Sequence, residues 1–302
     1  MCYNIRMLSN RTKGIVAITV SAFGFSLMAA AVRLANDFGG EVSSFEKSFF
    51  RNLVALAVAA AVFARRRFVR EAEALALPAG PRVWATLVLR AALGTAGIFA
   101  NFYALGRIPI AEGQTLNKAA PFFTVIFAWL FLGERFDRRQ FGALILASLG
   151  VLLIAKPGFA GANAWPLAIG LLSGACAGGA YAAVRSLRRH GVDAAFIVLF
   201  FSVFSCLASI PFMIAHFDPL TLGQLLVLFG AGAGAAIGQF GITAAYGYAA
   251  PREIAVYDYS SILFTAVFGY LLFGQLPDLW SFAGFAVIIL AALSLNGKDK
   301  KV

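Results

Sequence analysis

The sequence predicts an all-α integral membrane protein: ten transmembrane helices arranged as two inverted five-helix repeats. Three observations predict it, namely the composition, the spacing of long apolar runs, and a similarity between the two halves of the chain. Of the 302 residues, 61% are hydrophobic and only 13% are charged, and the mean hydropathy is +0.82. Soluble domains average about 45–50% apolar and about 25% charged residues. Lipid, rather than water, is the solvent this chain needs.

About 20 mostly apolar residues cross a bilayer as a helix. Ten such runs can be read, at 14–35, 44–64, 82–106, 108–132, 138–156, 165–187, 192–214, 221–247, 251–273 and 278–296. The links are short and no soluble domain interrupts them. The first run follows the basic start MCYNIRMLSNRTK. It is too long for a secretory apolar region, so it is read as a retained helix. Outside the spans, 17 Lys and Arg fall on one side, including ARRRFVR at 64–70, and only Arg107 and Lys156 on the other. Such an excess marks the cytoplasmic side. Both termini are therefore expected in the cytoplasm, with the chain in a bacterial inner membrane. The net charge of +11 then faces anionic membrane lipid and not nucleic acid.

ALGRIPIAEGQTLNKAAPFFTVIFAWLFLG (104–133) aligns without gaps on AYGYAAPREIAVYDYSSILFTAVFGYLLFG (245–274), placing Asn117 on Asp258 and Gly133 on Gly274. AAVR occurs at 30–33 and again at 182–185. Each half holds five spans, and an odd number turns the second copy upside down. The expected domains are thus a first repeat at 1–160 and an inverted second repeat at 161–302. Inverted repeats suit alternating access, with a solute site near the midplane.

Glycines four apart, at Gly170, Gly174 and Gly178 and at Gly230, Gly234 and Gly238, predict closely approaching helices. GAGAGAAIG at 230–238 lacks the register and the following Lys-Ser/Thr of a phosphate loop, and reads as a packing face. Cys2, Cys176 and Cys206 are scattered, and His190 and His216 are isolated. No disulfide framework, metal site or histidine-based nucleophile is indicated. The chain is not expected to be an enzyme or to carry a cofactor.

FFRN (49–52), LNKAAPFFT (116–124), GERFDRRQFGALILASLGV (133–151) and YDYSSILFTAVFGYLLFGQLPD (257–278) resemble the drug/metabolite transporter superfamily, specifically its EamA-type ten-helix members. The second repeat departs from the pattern, with Gln275 where the first has Glu134. The resemblance implies a secondary transporter of small organic solutes, with cytoplasmic termini and a central cavity lined by both halves. Members of the family handle amino acids, sugar derivatives, vitamins and nucleotide-like metabolites, so the resemblance narrows mechanism more than cargo.

An ionisable side chain at mid-membrane costs roughly 2.5–3.5 kcal/mol on insertion scales, so each requires a reason. Asp258 and Lys118 are expected to face each other, or one solute, across the cavity. Pro121 should break the fourth helix and free the carbonyl of Asn117. Arg51 and Arg90 are candidates for an anionic group. Tyr257, Tyr259, Tyr103, Asn101 and Gln239, with Trp129 and Gln114, are candidates to line the cavity. Glu46 and Lys47 should snorkel to the interface, and Arg33 and Arg185 should anchor helix ends there. Glu112 and Glu253 should complement helix dipoles.

The expected function is a secondary transporter for an amino-acid-like or other carboxylate-bearing solute, with Asp258 as the coupling acid for protons. One alternative is an uptake carrier for a vitamin or nucleotide-like metabolite that works by exchange. Another, from a different class, is a lipid-handling or structural membrane subunit. The partners expected are a small-molecule solute and membrane lipid, with a homodimer left open.

Overall fold

The computed structural model describes residues 9–68, 77–105, 116–135, 137–155, 164–215 and 218–294. Cys2, Glu112, Gln114 and His216 lie outside the described residues, as do the basic residues at 6, 70, 107, 156, 298, 300 and 301. Helices α1 (Asn10–Ala35), α2 (Ser44–Phe68), α3 (Pro81–Leu105), α4 (Ala120–Leu132) and α5 (Arg138–Ala155) come from the first half. Helices α6 (Ala164–Arg189), α7 (Ala194–Ala215), α8 (Leu222–Tyr248), α9 (Pro251–Phe273) and α10 (Leu279–Ser294) come from the second. Among the described residues, seven spans are long and apolar enough to cross a membrane unaided. The protein is an all-α membrane protein.

Local chemistry sets the helix ends. Ser9 caps α1 by accepting from the Thr12 amide at 3.1 Å, and Thr221 with Gln224 forms a reciprocal capping box on α8. Ser43 and Glu46 do the same on α2, at 3.2 and 3.3 Å. Glu46 is fully buried, and its second oxygen accepts from the Asp218 amide at 3.3 Å. It therefore does not snorkel: the box holds it inside, against the loop before α8. Helices α4 and α9 end alike, on Gly133 at φ 65° and Gly274 at φ 64°. This left-handed conformation suits glycine at a helix C-terminus. The following amides repeat the pattern, Glu134 bonding to the Ala128 carbonyl and Gln275 to the Gly269 carbonyl.

The main packing joins one half to the other. Helix α1 packs along α8, α3 along α6, α2 on α7 and α8, α7 on α3, α4 on α6, α9 on α1, and α5 on α10. This pattern is unchanged when α1–α5 are exchanged for α6–α10. Two pairs break the exchange: α6 packs on α8 and α5 on the start of α9, while α1 with α3 and α10 with α4 make no comparable contact among the described residues.

Glycines permit the crossings. A Cβ on Gly24 would come within 2.7 Å of the Gly234 carbonyl, and one on Gly284 within 2.6 Å of the Gly150 carbonyl. Gly174 and Gly178 face α4 as the spacing implies. Gly230 does not belong to the tight face, having nothing within 4 Å of a Cβ. On α8 the close approaches are made by Gly234, Gly238 and Gly241 toward α1, and by Gly232 toward Val54 of α2.

Gly14 of α1 lies against Ala249 and Ile254, and Phe38 beyond its other end lies against Gly223. The start of α1, the end of α8 and the start of α9 thus share one face, which also carries Arg135, Arg185, Arg189 and Arg252. It is called the basic face below.

Candidate functional site

Each half contains a broken helix, and the breaks coincide in the repeat alignment. Before α4, Leu116 and Asn117 are helical, Lys118 and Ala119 form a turn, and the helix restarts at Ala120. Pro121 sits in the first turn after the break, where its missing N–H costs nothing. Asn117 and Lys118 are thereby set at the interruption, as expected from the proline. A Cβ on Gly174 would come within 2.6 Å of the Leu116 carbonyl, so α6 lies directly against the opened backbone.

The second break has no proline. Helix α9 starts as Pro251–Ile254, tightens into a 3-10 turn over Ala255–Tyr259, and resumes as Ser260–Phe273. In the gapless alignment Lys118 and Ala119 fall on Tyr259 and Ser260.

The breaks meet through side chains. Lys118 Nζ donates to Ser261 Oγ at 2.5 Å, and Ser261 Oγ donates to the Asp258 carbonyl at 2.8 Å. Ser26 of α1 donates to the Ser261 carbonyl at 2.8 Å. Asp258 and Lys118 lie within electrostatic range of each other, yet form no direct ion pair. Ser261 is interposed between the two residues. Asp258 also lies within electrostatic range of Tyr181 on α6 and Tyr246 on α8. It is only half-buried although these neighbours come from three different helices.

Two guanidinium groups form the other wall. Arg90 of α3 is 1% exposed. It donates to Gln239 Oε1 of α8 at 2.9 Å and lies 3.7 Å over the Phe201 ring of α7. Its Nε and Nη1 have no hydrogen-bond partner among the described residues, and neither does Arg51 Nε. Arg51 of α2 lies within electrostatic range of Arg90, and both of Tyr181. No carboxylate pairs with either arginine among the described residues. Arg51 is seven residues into α2 and Arg90 nine into α3, or about 10 and 14 Å from opposite boundaries. Both belong to the middle of the span.

Tyr181 links the two walls, since it lies in range of Asp258, Arg51 and Arg90 together. Sequence reasoning missed it. The available signal was a single tyrosine in the small-residue run GAYAAV at 179–184.

Several expected lining residues point elsewhere. Tyr259 is fully buried, with its hydroxyl 2.9 Å from Ser148 Oγ of α5. The Tyr257 hydroxyl donates to the Ala292 carbonyl of α10 at 3.4 Å. Residues two apart do not share a helix face, so the two rings go to different neighbours. Asn117 ties the break to α6, donating to Ser173 Oγ at 3.2 Å. Asn101 and Tyr103 are half-buried at the end of α3, about 30 Å from its start and so away from the midplane. Trp129 is 47% exposed. Arg33 and Arg185 do more than anchor: each reaches a residue of the other half, Gln275 and Glu134 respectively.

Comparison with known proteins agrees with this architecture. The EamA-like transporter family matches residues 12–156. The pseudopaline exporter CntI of Pseudomonas aeruginosa is 31% identical over 95% of this chain and 97% of its own length. A riboflavin transporter of Brucella anthropi is 28% identical over 70% of this chain and 76% of its own. An S-adenosylmethionine uptake transporter of Rickettsia bellii is 24% identical over 71% and 73%. A solved crystal structure shares the fold, with a TM-score of 0.72 at 18% identity, covering 92% of this chain and 96% of that one.

Proposed function

Because the chain belongs to the EamA-like transporter family, we propose that it is a secondary transporter of an amino-acid-like, carboxylate-bearing metabolite, working by alternating access. The halves 1–160 and 161–302 act as inverted repeats, and the basic face lies in the cytoplasm of a bacterial inner membrane, as the Lys/Arg bias requires. The observation that carries the solute class is Arg90. A wholly buried guanidinium with two unpartnered nitrogens lies within electrostatic range of a second, half-buried arginine whose Nε is also buried and unpartnered. Two uncompensated cations at this depth are costly, and a solute carboxylate supplies the missing charge and acceptors. Asp258, on the opposite wall, receives the solute's amine and serves as the coupling acid.

Proteoliposomes test this directly. Radiolabelled amino acids should accumulate saturably, and free carboxylates should compete. Transport confined to carboxylate-free solutes would overturn the reading. The relatives named for riboflavin and S-adenosylmethionine support a second reading, exchange-driven uptake of such a solute. The match to an exporter over 95% of the chain favours outward movement instead.

A further inference from the structure

We propose that two repeat-related latches of unequal strength hold the faces of this transporter shut, and that the inequality makes the form closed on the basic face its resting state. The proposal rests on the alternating-access reading above and adds what biases it.

The latches are equivalent by sequence. Arg185 and Arg33 end the two AAVR motifs, and the alignment that pairs Gly133 with Gly274 pairs Glu134 with Gln275. They are equivalent in structure too. On the basic face Arg185 Nε lies 2.8 Å from Glu134 Oε1, between α6 and the end of α4. On the opposite face Arg33 Nη1 lies 3.2 Å from Gln275 Oε1, between α1 and the end of α9. Both acceptors directly follow a left-handed glycine cap and share its amide pattern. Each latch joins one half to the other, so a rocking motion of the halves opens a face only by breaking the latch on it.

They differ in charge and shielding. The basic-face latch is an ion pair with side chains 17% and 10% exposed, and Arg189 adds a second cation 3.7 Å from the same oxygen. Arg185 also donates to the Tyr246 carbonyl of α8 at 3.1 Å. The opposite latch is a neutral acceptor in an exposed setting, helped by the Phe273 ring 4.6 Å from the Arg33 guanidinium. Both donors are guanidinium groups, so both bonds are charge-assisted; only the basic-face latch adds the attraction of an opposite charge, in a shielded setting where screening is weaker, and exposure weakens the other. An acid just past a helix C-terminus is disfavoured by the helix dipole, so Glu134 depends on its arginines.

The packing already shows the bias. Helix α6 is drawn onto α8 beside Arg185, with the Tyr181 and Tyr246 rings 5.9 Å apart. Its repeat counterpart, α1 with α3, is not drawn together.

The test uses the full chain in oriented membrane vesicles. Cys2, Cys176 and Cys206 are replaced by serine, and Tyr181→Cys, within range of Asp258, Arg51 and Arg90, reports on the central space. A charged, impermeant thiol reagent is applied from each face. The parent should label at least about fivefold faster from the face opposite the basic one, the low end of ordinary conformational coupling. Gln275→Glu, at an exposed position that folding tolerates, should bring the two rates within about twofold. Adding Glu134→Gln should reverse the preference. A ratio unchanged in both variants overturns the latch proposal and leaves alternating access standing. Labelling from one face only, in every variant and with solute present, overturns alternating access itself and the latch with it.

Discussion

Lys118 and Ser261 join the two helix breaks: Nζ of the first lies 2.5 Å from Oγ of the second, across the boundary between the halves. The cation at the first interruption is thereby held three residues from Asp258, while Asp258 keeps its own carboxylate unpaired with it. This leaves the acid available to a solute or a proton.

Ser261→Ala should loosen that join. Interhelical hydrogen bonds in membranes average about 0.6 kcal/mol, with a maximum near 1.7. The apparent Tm in detergent should fall by roughly 1–5 °C, and Ser261→Thr should recover most of it. Full stability and full transport in Ser261→Ala would show that the contact is dispensable.

Gly174→Val and Gly230→Val make a matched pair. The first drives a side chain into the Leu116 carbonyl, already 2.6 Å from a bare Cβ, and overpacking of this kind costs about 1–3 kcal/mol or more. The second meets nothing within 4 Å. Folded yield by size-exclusion profile should collapse for Gly174→Val and be retained for Gly230→Val.

Gln239→Glu separates binding from folding. A carboxylate 2.9 Å from Arg90 would satisfy the guanidinium permanently. The variant should be as stable as the parent or more so, while the apparent KM for a carboxylate-bearing solute rises by at least about tenfold. Undiminished affinity would move the anion site away from Arg90. Arg90→Lys should also weaken binding, because an ammonium loses the forked donors and the stacking on Phe201.

Asp258→Asn should abolish accumulation driven by an imposed pH gradient while sparing solute exchange between labelled and unlabelled pools. Gradient-driven accumulation at the parental level would remove Asp258 from the coupling step.

Much of the architecture is legible in the sequence. Pro121 announces the break at Asn117 and Lys118 because the ring forbids an N–H donor in a helix interior. The matching break in α9 carries no such mark. It is visible only as polar YDYSS falling on the same alignment columns. Tyr257 and Tyr259 are two positions apart, about 200° round a helix, so they do not share a face; Tyr257 bonds to α10 and Tyr259 to α5. Arg90 is recognisable in the sequence as buried and basic, but its partners, Gln239 and Phe201, lie on other helices.

The sequence by itself determined the solvent, the number of helical runs and the likeness of the two halves. These follow from apolar content, run length and alignment, all of which are local or cumulative along the chain. Only the tertiary structure decided which buried charges meet. Arg90 and Gln239 are 149 positions apart, and Lys118 and Ser261 are 143 apart. Helical periodicity tells which face a residue occupies but not what stands across from it. That choice belongs to the glycine-lined crossings between halves, where a single Cβ would shift every partner.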